Sequence, residues 1–218
     1  MRSPQDTDWN QFWNRSASKQ FSQPSWSKKR ILKVLEPYAV DGKKALDAGC
    51  GSGFFSRYFC GRGMLTVAAD YSESALEMAR MVTEGKSRLL KADFLNERLD
   101  EKLNDRFDLI FSDGLLEHFP SARQDTIIKN WASVLSKDGV MVTFVPNRFS
   151  PWELIRPLYM PGIEETPFVL KELVDAHERN GLRVIGKGGV NTFPFRFSPD
   201  RWIGPVFGML LYVVARRS

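Results

Sequence analysis

The stretch between residues 45 and 56 constrains this chain more than any other part of its sequence. It begins as a short apolar run after two lysines, becomes rich in glycine and continues as a helical pattern. This succession predicts the end of a buried strand, a tight loop and the start of a helix. Because glycine has no Cβ, the loop lets the backbone come close to a ligand at the helix N-terminus. The stretch therefore predicts a ligand-binding loop.

The spacing of the glycines, and the acid before them, narrow the choice of ligand. Gly49 and Gly51 fit the dinucleotide fingerprint G-x-G-x-x-G, but the third position of that fingerprint is Phe54. The sequence instead has the pattern D-x-G-x-G-x-G from Asp47 to Gly53. A carboxylate at the strand end repels a pyrophosphate and favours a cationic ligand or an ammonium group. In this motif the chain resembles the class I S-adenosylmethionine (SAM)-dependent methyltransferases.

From residue 44 onward the predicted strands and helices alternate, which is typical of a mainly parallel sheet covered by helices. The resemblance extends over roughly residues 30–218 and is strongest over 44–147. It implies an α/β fold: a doubly wound, mainly parallel, seven-stranded Rossmann-like sheet with helices on both faces and an antiparallel last strand. The predicted strands are 44–47, 64–70, 88–91, 107–112, 140–145, 182–190 and 206–215.

The sequence also predicts a division into a core and attached segments. Residues 1–40 form a predicted N-terminal helical segment or lid, and residues 41–218 form the predicted SAM-binding domain. Two stretches rich in proline and aromatic residues, near 147–166 and 191–205, lie where the family places variable substrate elements. They are predicted to be loops that cap the substrate.

The N-terminal segment carries an aromatic stripe and a basic run. Trp9, Phe12 and Trp13 share one face of a short predicted helix, which either packs on the core or forms a lid over the cofactor. A second helix is predicted over 25–38, with a serine as its cap. Its basic run 28–30 lacks interleaved aromatic residues, so a solvated face is predicted and no nucleic-acid partner is expected.

The second strong signal is Asp70, which ends the second predicted strand 23 residues after Asp47. A carboxylate at this position can accept hydrogen bonds from both ribose hydroxyls of an adenosine, and Tyr71 beside it belongs to the same predicted site. NAD and SAM both contain this ribose, so the signal does not choose between them. The alternative role of Asp70 is to cap the following helix, for which Ser72 is a rival.

The ends of the third and fourth strands complete the predicted cofactor site. An acid beside an aromatic ring suits adenine, and by the resemblance Asp93 and Phe94 take that role. Strands one and four flank the topological switch point of such a sheet. The loop Asp113, Gly114 and Leu115 is therefore expected near the sulfonium side of SAM.

The sequence offers one candidate base, and the resemblance implies which residues hold the methionine part of SAM. His118 is the candidate general base, because imidazole titrates near neutral pH. The alternative is a turn histidine bound to the backbone, since Leu-Glu-His turns occur in family members with different acceptors. Glu117 is predicted to be structural, and the Cys50 thiol to be packing within its loop. The methionine part is assigned to Asp47, Gly49, Cys50, Gly51 and Gly53.

Composition limits the class of protein. A chain of 218 residues with 43% hydrophobic residues is expected to form one domain with a sizeable core. Its two cysteines give no disulfide framework, and a cytoplasmic location is the simplest expectation. His118 and His177 lie far apart in the sequence, so no metal site is expected. The longest apolar run, 206–215, is too short to span a bilayer.

The acceptor is the least determined part of the function. Residues 45–146 carry fifteen acidic against twelve basic side chains, whereas both flanking parts are net basic. The apolar stretches 149–163 and 191–207, with their basic flanks, favour a small-molecule acceptor that is aromatic or lipid-like and carries an anionic group. The same stretches leave open a packed cap, a homodimer contact or a peripheral membrane contact.

Three other functions remain open on the sequence alone. A nicotinamide-dependent reductase is disfavoured by the missing third fingerprint glycine and by Asp47. A SAM-binding partner subunit without catalytic activity is disfavoured by the intact motifs. An aminopropyl transferase would need a more acidic pocket, which the basic outer segments disfavour.

Overall fold

Strands and helices alternate along the chain in the computed structural model, which describes residues 8–15, 20–159, 163 and 165–218. A 3-10 turn, Leu116–His118, follows the fourth strand. The strands are β1 (Lys44–Ala48), β2 (Leu65–Asp70), β3 (Arg88–Lys91), β4 (Phe107–Asp113), β5 (Leu135–Pro146), β6 (Leu182–Val190) and β7 (Leu210–Arg217). The helices are α1 (Trp9–Asn14), α2 (Trp26–Leu35), α3 (Phe54–Gly61), α4 (Glu73–Val82), α5 (Leu99–Lys102), α6 (Ser121–Val134), α7 (Trp152–Tyr159), α8 (Leu170–Glu178) and α9 (Asp200–Phe207).

The strands form one seven-stranded sheet in the order β3-β2-β1-β4-β5-β7-β6. Strands β1 to β5 pair in parallel, and β7 runs antiparallel to both β5 and β6. The predicted Rossmann-like α/β sheet with an antiparallel last strand is therefore confirmed. The strand order reverses between β1 and β4, so their carboxyl ends form the topological switch point where ligands of open α/β sheets bind.

Apolar side chains cover both faces of the sheet. On one face, Ile31 and Leu35 of α2 and Phe59 of α3 are buried against it. On the other face, Trp131 of α6 and Leu173 of α8 are buried in a second cluster. Fully burying a large apolar side chain contributes about 1.5–3 kcal/mol. These two clusters therefore supply much of the stability of the scaffold that holds the loops at its carboxyl edge.

Serine side chains begin two of the helices, in agreement with the sequence. Ser25 Oγ accepts a hydrogen bond from the Lys28 N–H at 3.2 Å, at the start of α2. Ser72 Oγ accepts from the Ala75 N–H at 3.2 Å, at the start of α4. Each serine satisfies an N–H that has no partner within its helix, which contributes about 1 kcal/mol.

The structure corrects the two predicted cap loops. Residues 147–166 contain the helix α7, and residues 191–205 lead into the helix α9. Strand β7 consequently begins at Leu210, later than predicted. Each of these helices contains a proline, Pro157 in α7 and Pro205 in α9. Proline lacks a backbone N–H and is unfavourable inside helices, which is why the sequence favours loops here.

His177 is buried in the core, away from the carboxyl edge. Its Nδ1–H donates to the Leu173 carbonyl at 2.9 Å, and its Nε2 accepts from the Thr143 hydroxyl at 3.0 Å. Burial lowers the pKa of His177 to about 4. The ring is therefore neutral at physiological pH, and its role is to join α8 to β5.

Candidate functional site

A cavity of about 750 Å³ opens at the carboxyl edge of the sheet. Pockets that hold small ligands usually measure about 300–1,000 Å³, so this one is large enough for a small-molecule site. Among the predicted site residues, all of which the structure describes, Gly53 alone does not line it. The lining set is Asp47, Gly49, Cys50, Gly51, Asp70, Tyr71, Asp93, Phe94, Asp113, Gly114, Leu115 and His118.

The glycine loop adopts a backbone that side chains would not tolerate. Gly49 and Gly51 have φ angles of +79° and +48°. A Cβ on Gly49 would lie 2.5 Å from a side-chain carbon of Leu115, and one on Gly51 would lie 2.6 Å from the Trp13 ring. The Gly51 N–H donates to the Asp70 carboxylate at 3.0 Å. Both glycines are therefore required where neighbouring segments approach the loop.

Gly53 does not line the cavity and instead lies where two helices pack closely. It precedes α3 with φ of +76°, and a Cβ there would lie 2.6 Å from the Cα of Ala79 in α4. The absence of a side chain at Gly53 lets α3 and α4 approach each other closely. The structure thus separates this residue from the other members of the predicted methionine site.

Two carboxyl groups at strand ends have a raised pKa. Asp47, at the end of β1, is 2% exposed and accepts a hydrogen bond from the Ser56 hydroxyl at 2.6 Å. Burial raises the pKa of Asp47 to about 7. Burial also raises the pKa of Asp113 to about 7, although the charge of Lys28 opposes that shift. A cationic ligand would favour the anionic form of both groups.

Asp70 ends β2 and directs its carboxylate towards the glycine loop. It accepts from the Gly51 N–H at 3.0 Å and from the Ser72 N–H at 2.9 Å. Because the Ser72 side chain caps α4, the Asp70 carboxylate is not needed for that role. Each carboxylate oxygen has two lone pairs and so retains capacity to accept from a ligand hydroxyl. Tyr71 is exposed at the cavity rim.

At the end of β3, Asp93 turns its carboxylate back onto the chain. It accepts from the Leu95 N–H at 3.0 Å and from the Asn96 side-chain amide at 2.8 Å. These bonds hold the turn that contains Phe94. The Phe94 ring is buried and meets the Trp131 ring edge-on, with 5.8 Å between the ring centroids.

The turn after β4 brings two further polar residues into the cavity wall. Gly114 has φ of +74°, and the 3-10 turn that follows contains Glu117 and His118. The exposed fractions are 2% for Glu117 and 6% for His118. The His118 ring centroid lies 4.8 Å from that of Trp9, in an edge-on contact. Glu117, predicted to be structural, is thus part of the wall beside the candidate base.

Helix α1 lies across the cavity. Its aromatic stripe, Trp9, Phe12 and Trp13, forms part of the cavity lining. The Asn10 side-chain oxygen accepts from the Ser72 hydroxyl at 2.9 Å, which ties α1 to the start of α4. The helix therefore reaches from α4 to the turn after β4, with the glycine loop beneath it. This arrangement supports the interpretation of the stripe as a lid.

Lys28 is a cavity residue that the sequence does not reveal. Its ammonium lies 4.4 Å from the centroid of the Phe54 ring. Burial lowers the pKa of Lys28 to about 8. Arg30, two residues on, pairs with Asp200 at 3.4 Å and is largely buried. The predicted solvated face is therefore wrong for these two side chains, and a run of charges gives no signal of which members turn inward.

Part of the cavity wall is apolar. Trp152 of α7 lines it together with Met209 and Leu210, which come from the segment after α9. The first predicted cap segment, 147–166, therefore reaches the cavity, whereas no residue of the second, 191–205, lines it. Apolar side chains of the same segments are also exposed on the outer surface: Phe149, Leu154, Ile155, Leu158, Phe193, Phe195, Phe197, Trp202, Ile203, Val206 and Phe207.

Both cysteines, Cys50 and Cys60, are free thiols. Burial raises the pKa of Cys50 well above its usual value, so this thiol is protonated at neutral pH and is a poor nucleophile. Among the described residues, no group of three or more His, Cys, Asp or Glu side chains is arranged to hold a metal ion. Within the same part of the chain, every helix is too short or too polar to cross a membrane.

Comparisons with known proteins agree with this geometry. Residues 45–139 match a family model described as a methyltransferase domain. The chain is 26% identical over 177 residues to a ubiquinone biosynthesis O-methyltransferase of Coxiella burnetii, a match that covers 77% of this chain and 75% of that protein.

Solved structures of methyltransferases share the fold. A TehB-like SAM-dependent methyltransferase from Corynebacterium glutamicum has a TM-score of 0.64 and 19% identity, covering 94% of this chain and 100% of that one. The magnesium protoporphyrin IX methyltransferase of Synechocystis, with bound S-adenosylhomocysteine (SAH), has a TM-score of 0.64 and 16% identity, covering 98% of this chain and 89% of that one.

Proposed function

Because residues 45–139 match a methyltransferase domain, we propose that this chain is a class I SAM-dependent methyltransferase and that it transfers a methyl group to an oxygen atom of a small, largely apolar acceptor. The observation that carries this proposal is the continuity of the cavity from the strand-end carboxylates to the apolar wall at Trp152, Met209 and Leu210. The oxygen acceptor is supported by the similarity to an O-methyltransferase.

The cavity fits SAM in charge and in backbone shape. SAM carries an ammonium group and a sulfonium, and the carboxylates of Asp47, Asp70 and Asp113 lie where a cation would be stabilised. The glycine loop admits a close ligand. We assign the methionine part to Asp47, Gly49, Cys50 and Gly51, the ribose to Asp70 and Tyr71, the adenine to Asp93 and Phe94, and the sulfonium side to Asp113, Gly114 and Leu115.

When bound, SAM supplies an electrophilic methyl group on a positively charged sulfur. The residues of this chain then have to orient the acceptor, exclude water and remove a proton. The rings of Trp9 and Trp13 cover the cavity from the side of α1. A hydroxyl acceptor loses its proton during methylation, and we propose that a ring nitrogen of His118 takes it.

Calorimetric titration with SAM, then with SAH, and with NADH as a control tests the cofactor assignment. We expect saturable binding of both sulfur nucleotides at one site and no comparable binding of NADH. If neither SAM nor SAH binds, the assignment of the glycine loop is wrong. Once SAH binding is established, an acceptor screen starts with apolar phenols.

We also propose that the outer surface beside the cavity contacts a membrane, from which a lipid-like acceptor enters. The segments after β5 and β6 both leave the carboxyl edge of the sheet, where the cavity opens. Leu154, Leu158 and Trp202 in these segments are 84%, 81% and 74% exposed. Arg196 and Arg201 add positive charge that suits anionic lipid headgroups.

A further inference from the structure

Two glutamates lie together in the cavity wall beyond the glycine loop. The Thr166 N–H donates to the Glu117 carbonyl at 2.9 Å, which places Glu165 beside the turn after β4. Both glutamates line the cavity. The exposed fraction of Glu117 is 2%, and that of the Glu165 side chain is 5%. Both side chains are therefore buried in the cavity wall and do not form a surface cluster.

Glu117 has an acceptor atom that no described residue uses. Its Oε2 is buried and lacks a hydrogen-bond partner among the described residues. Its other oxygen, Oε1, lies 3.4 Å from where a Cβ of Gly114 would be, next to the loop assigned to the sulfonium side. A buried acceptor without a donor is destabilising and rare in folded proteins. Its position in a cavity wall points to a ligand that brings the donor.

The guanidinium of Arg156, close to the two glutamates, already has several partners. Arg156 pairs with Glu153 at 3.2 Å and with Glu165 at 3.3 Å, and it donates to the Ile163 carbonyl at 2.9 Å. Burial, and next the charge of Glu165, raise the pKa of Glu117 well above its usual value. Burial raises the pKa of Glu165 to about 7. The same burial disfavours an anionic ligand at this end of the cavity, where Arg156 is already paired with Glu153 and Glu165.

We propose that Glu117, with Glu165 beside it, selects the acceptor: it accepts a hydrogen bond from a hydroxyl at the acceptor's polar end and disfavours anionic acceptors. This inference rests on the proposed function, because it places the acceptor beside His118 and next to the loop after β4. It differs from the anionic group that the basic outer segments favour, since Arg156, which those segments bring to this part of the wall, is already paired with Glu153 and Glu165.

The test compares three probes that carry apolar chains of similar length, titrated calorimetrically into the SAH-saturated protein. The probes are para-nonylphenol, para-nonylanisole, which lacks the hydroxyl hydrogen, and nonanoate, which is an anion. We expect the phenol to bind about tenfold more tightly than the anisole, and nonanoate to bind most weakly. Absence of this phenol preference, or nonanoate binding as tightly as the phenol, would overturn the inference.

Variants test whether Glu117 causes the preference for the phenol over the anisole. Glu117→Leu removes the acceptor and is expected to bring the ratio of anisole to phenol dissociation constants close to one. Glu117→Gln keeps a carbonyl oxygen and the side-chain shape, so an intermediate ratio is expected even if the leucine variant folds poorly. Glu77→Gln, at an exposed position of α4, is the matched control and should keep the native ratio. A native ratio in both Glu117 variants would contradict the assignment.

The SAH titration, made first, distinguishes a failure of the proposed function from a failure of the role given to Glu117. If the native protein does not bind SAH, the proposed function fails. If it binds SAH and yet shows no preference for the phenol, the proposed function stands and only the role of Glu117 fails.

Discussion

At the scale of single residues, two glycines with nearly the same φ angle allow the cost of backbone strain to be measured separately from the cost of close packing. Gly53 and Gly181 have φ angles of +76° and +77°. A Cβ on Gly53 would meet the Ala79 backbone at 2.6 Å, whereas a Cβ on Gly181 would have nothing within 4 Å. We expect Gly181→Ala to lower the free energy of unfolding by about 1–2 kcal/mol through its left-handed conformation. Gly53→Ala should lose about 1–3 kcal/mol more through overpacking.

Urea unfolding of the two glycine variants and the native protein measures this difference. Equal losses for Gly53→Ala and Gly181→Ala would contradict the structural role given to Gly53. Because Gly53 does not line the cavity, SAH affinity of the folded Gly53→Ala protein should stay close to native.

His118 gives a second prediction at this scale. If its imidazole accepts the acceptor's proton, His118→Ala lowers turnover by about 100-fold. SAH affinity, measured by calorimetry, should change much less, since the assigned cofactor contacts lie elsewhere in the wall. Near-native turnover in this variant would remove His118 from the mechanism.

The buried carboxyls predict how cofactor binding depends on pH. In the free protein the pKa values of Asp47 and Asp113 are about 7, so both groups are largely protonated in mildly acidic solution. A bound cation favours their ionised forms, so binding releases protons below that pH. SAM affinity should therefore rise with pH until it levels off above about 8, with a slope of up to about tenfold per pH unit for each carboxyl.

Calorimetry in buffers of different pH measures this dependence. Asp47→Asn should flatten the slope, because one of the two titrating groups is then missing. An affinity that falls as the pH rises through neutrality would contradict the proposed contact between these carboxyls and the cofactor.

At the scale of elements, α1 depends on the cavity that it covers. A helix of six residues is too short to be stable alone. Trp13 anchors it over Gly51, and Trp9 anchors it at His118. Trp13→Ala should therefore increase the dissociation rate of SAH by about tenfold. Trp26→Ala, at a more exposed tryptophan of α2, is the control that should leave the rate unchanged.

Stopped-flow displacement of SAH measures both rates. If Trp13→Ala releases SAH as slowly as the native protein, α1 does not act as a lid. A similar acceleration in Trp26→Ala would indicate a general loosening of the N-terminal segment and not a specific role for α1.

The sequence predicts which strand-end residues lie in the cavity wall, but it does not predict the residues that other segments bring there. Asp47, Asp70 and Asp113 each follow a buried strand, and parallel strands bring their carboxyl ends to one edge. Lys28 and Glu165 reach the cavity from segments whose course depends on contacts across that edge, so no local pattern locates them.

The sequence likewise predicts some helices and misses others. Helices α3 and α4 bury one face against the sheet, and their periodic apolar residues predict them. Helices α7 and α9 instead expose apolar side chains such as Leu154, Leu158 and Trp202. Each of them also contains a proline, which is unfavourable inside a helix, so the sequence favours loops in these segments.

At the scale of the whole molecule, the exposed apolar surface predicts binding to lipid vesicles. We expect the protein to sediment with vesicles that contain phosphatidylserine. Leu158→Ser and Trp202→Ser should reduce the bound fraction, because each removes an exposed apolar side chain at the carboxyl edge. Leu65→Ser is the matched control, since Leu65 is 61% exposed but begins β2 and so lies at the opposite edge of the sheet.

Analytical ultracentrifugation of the same proteins without lipid tests whether a second copy of the chain covers this surface instead. A dimer that dissociates in Leu158→Ser or Trp202→Ser, with no vesicle binding, would contradict the membrane proposal and assign the surface to a second copy of the chain.

Strand β7 lies between β5 and β6, although it follows both of them along the chain. While the polypeptide is being synthesised, the first five strands can pair as they emerge, but among the described strands β6 finds its neighbour only when β7 is complete. Met209 and Leu210 reach the cavity wall with that strand. A nascent chain therefore completes the acceptor wall in one late step. On a ribosome stalled before β7, the glycine loop would be present but the acceptor wall would be incomplete.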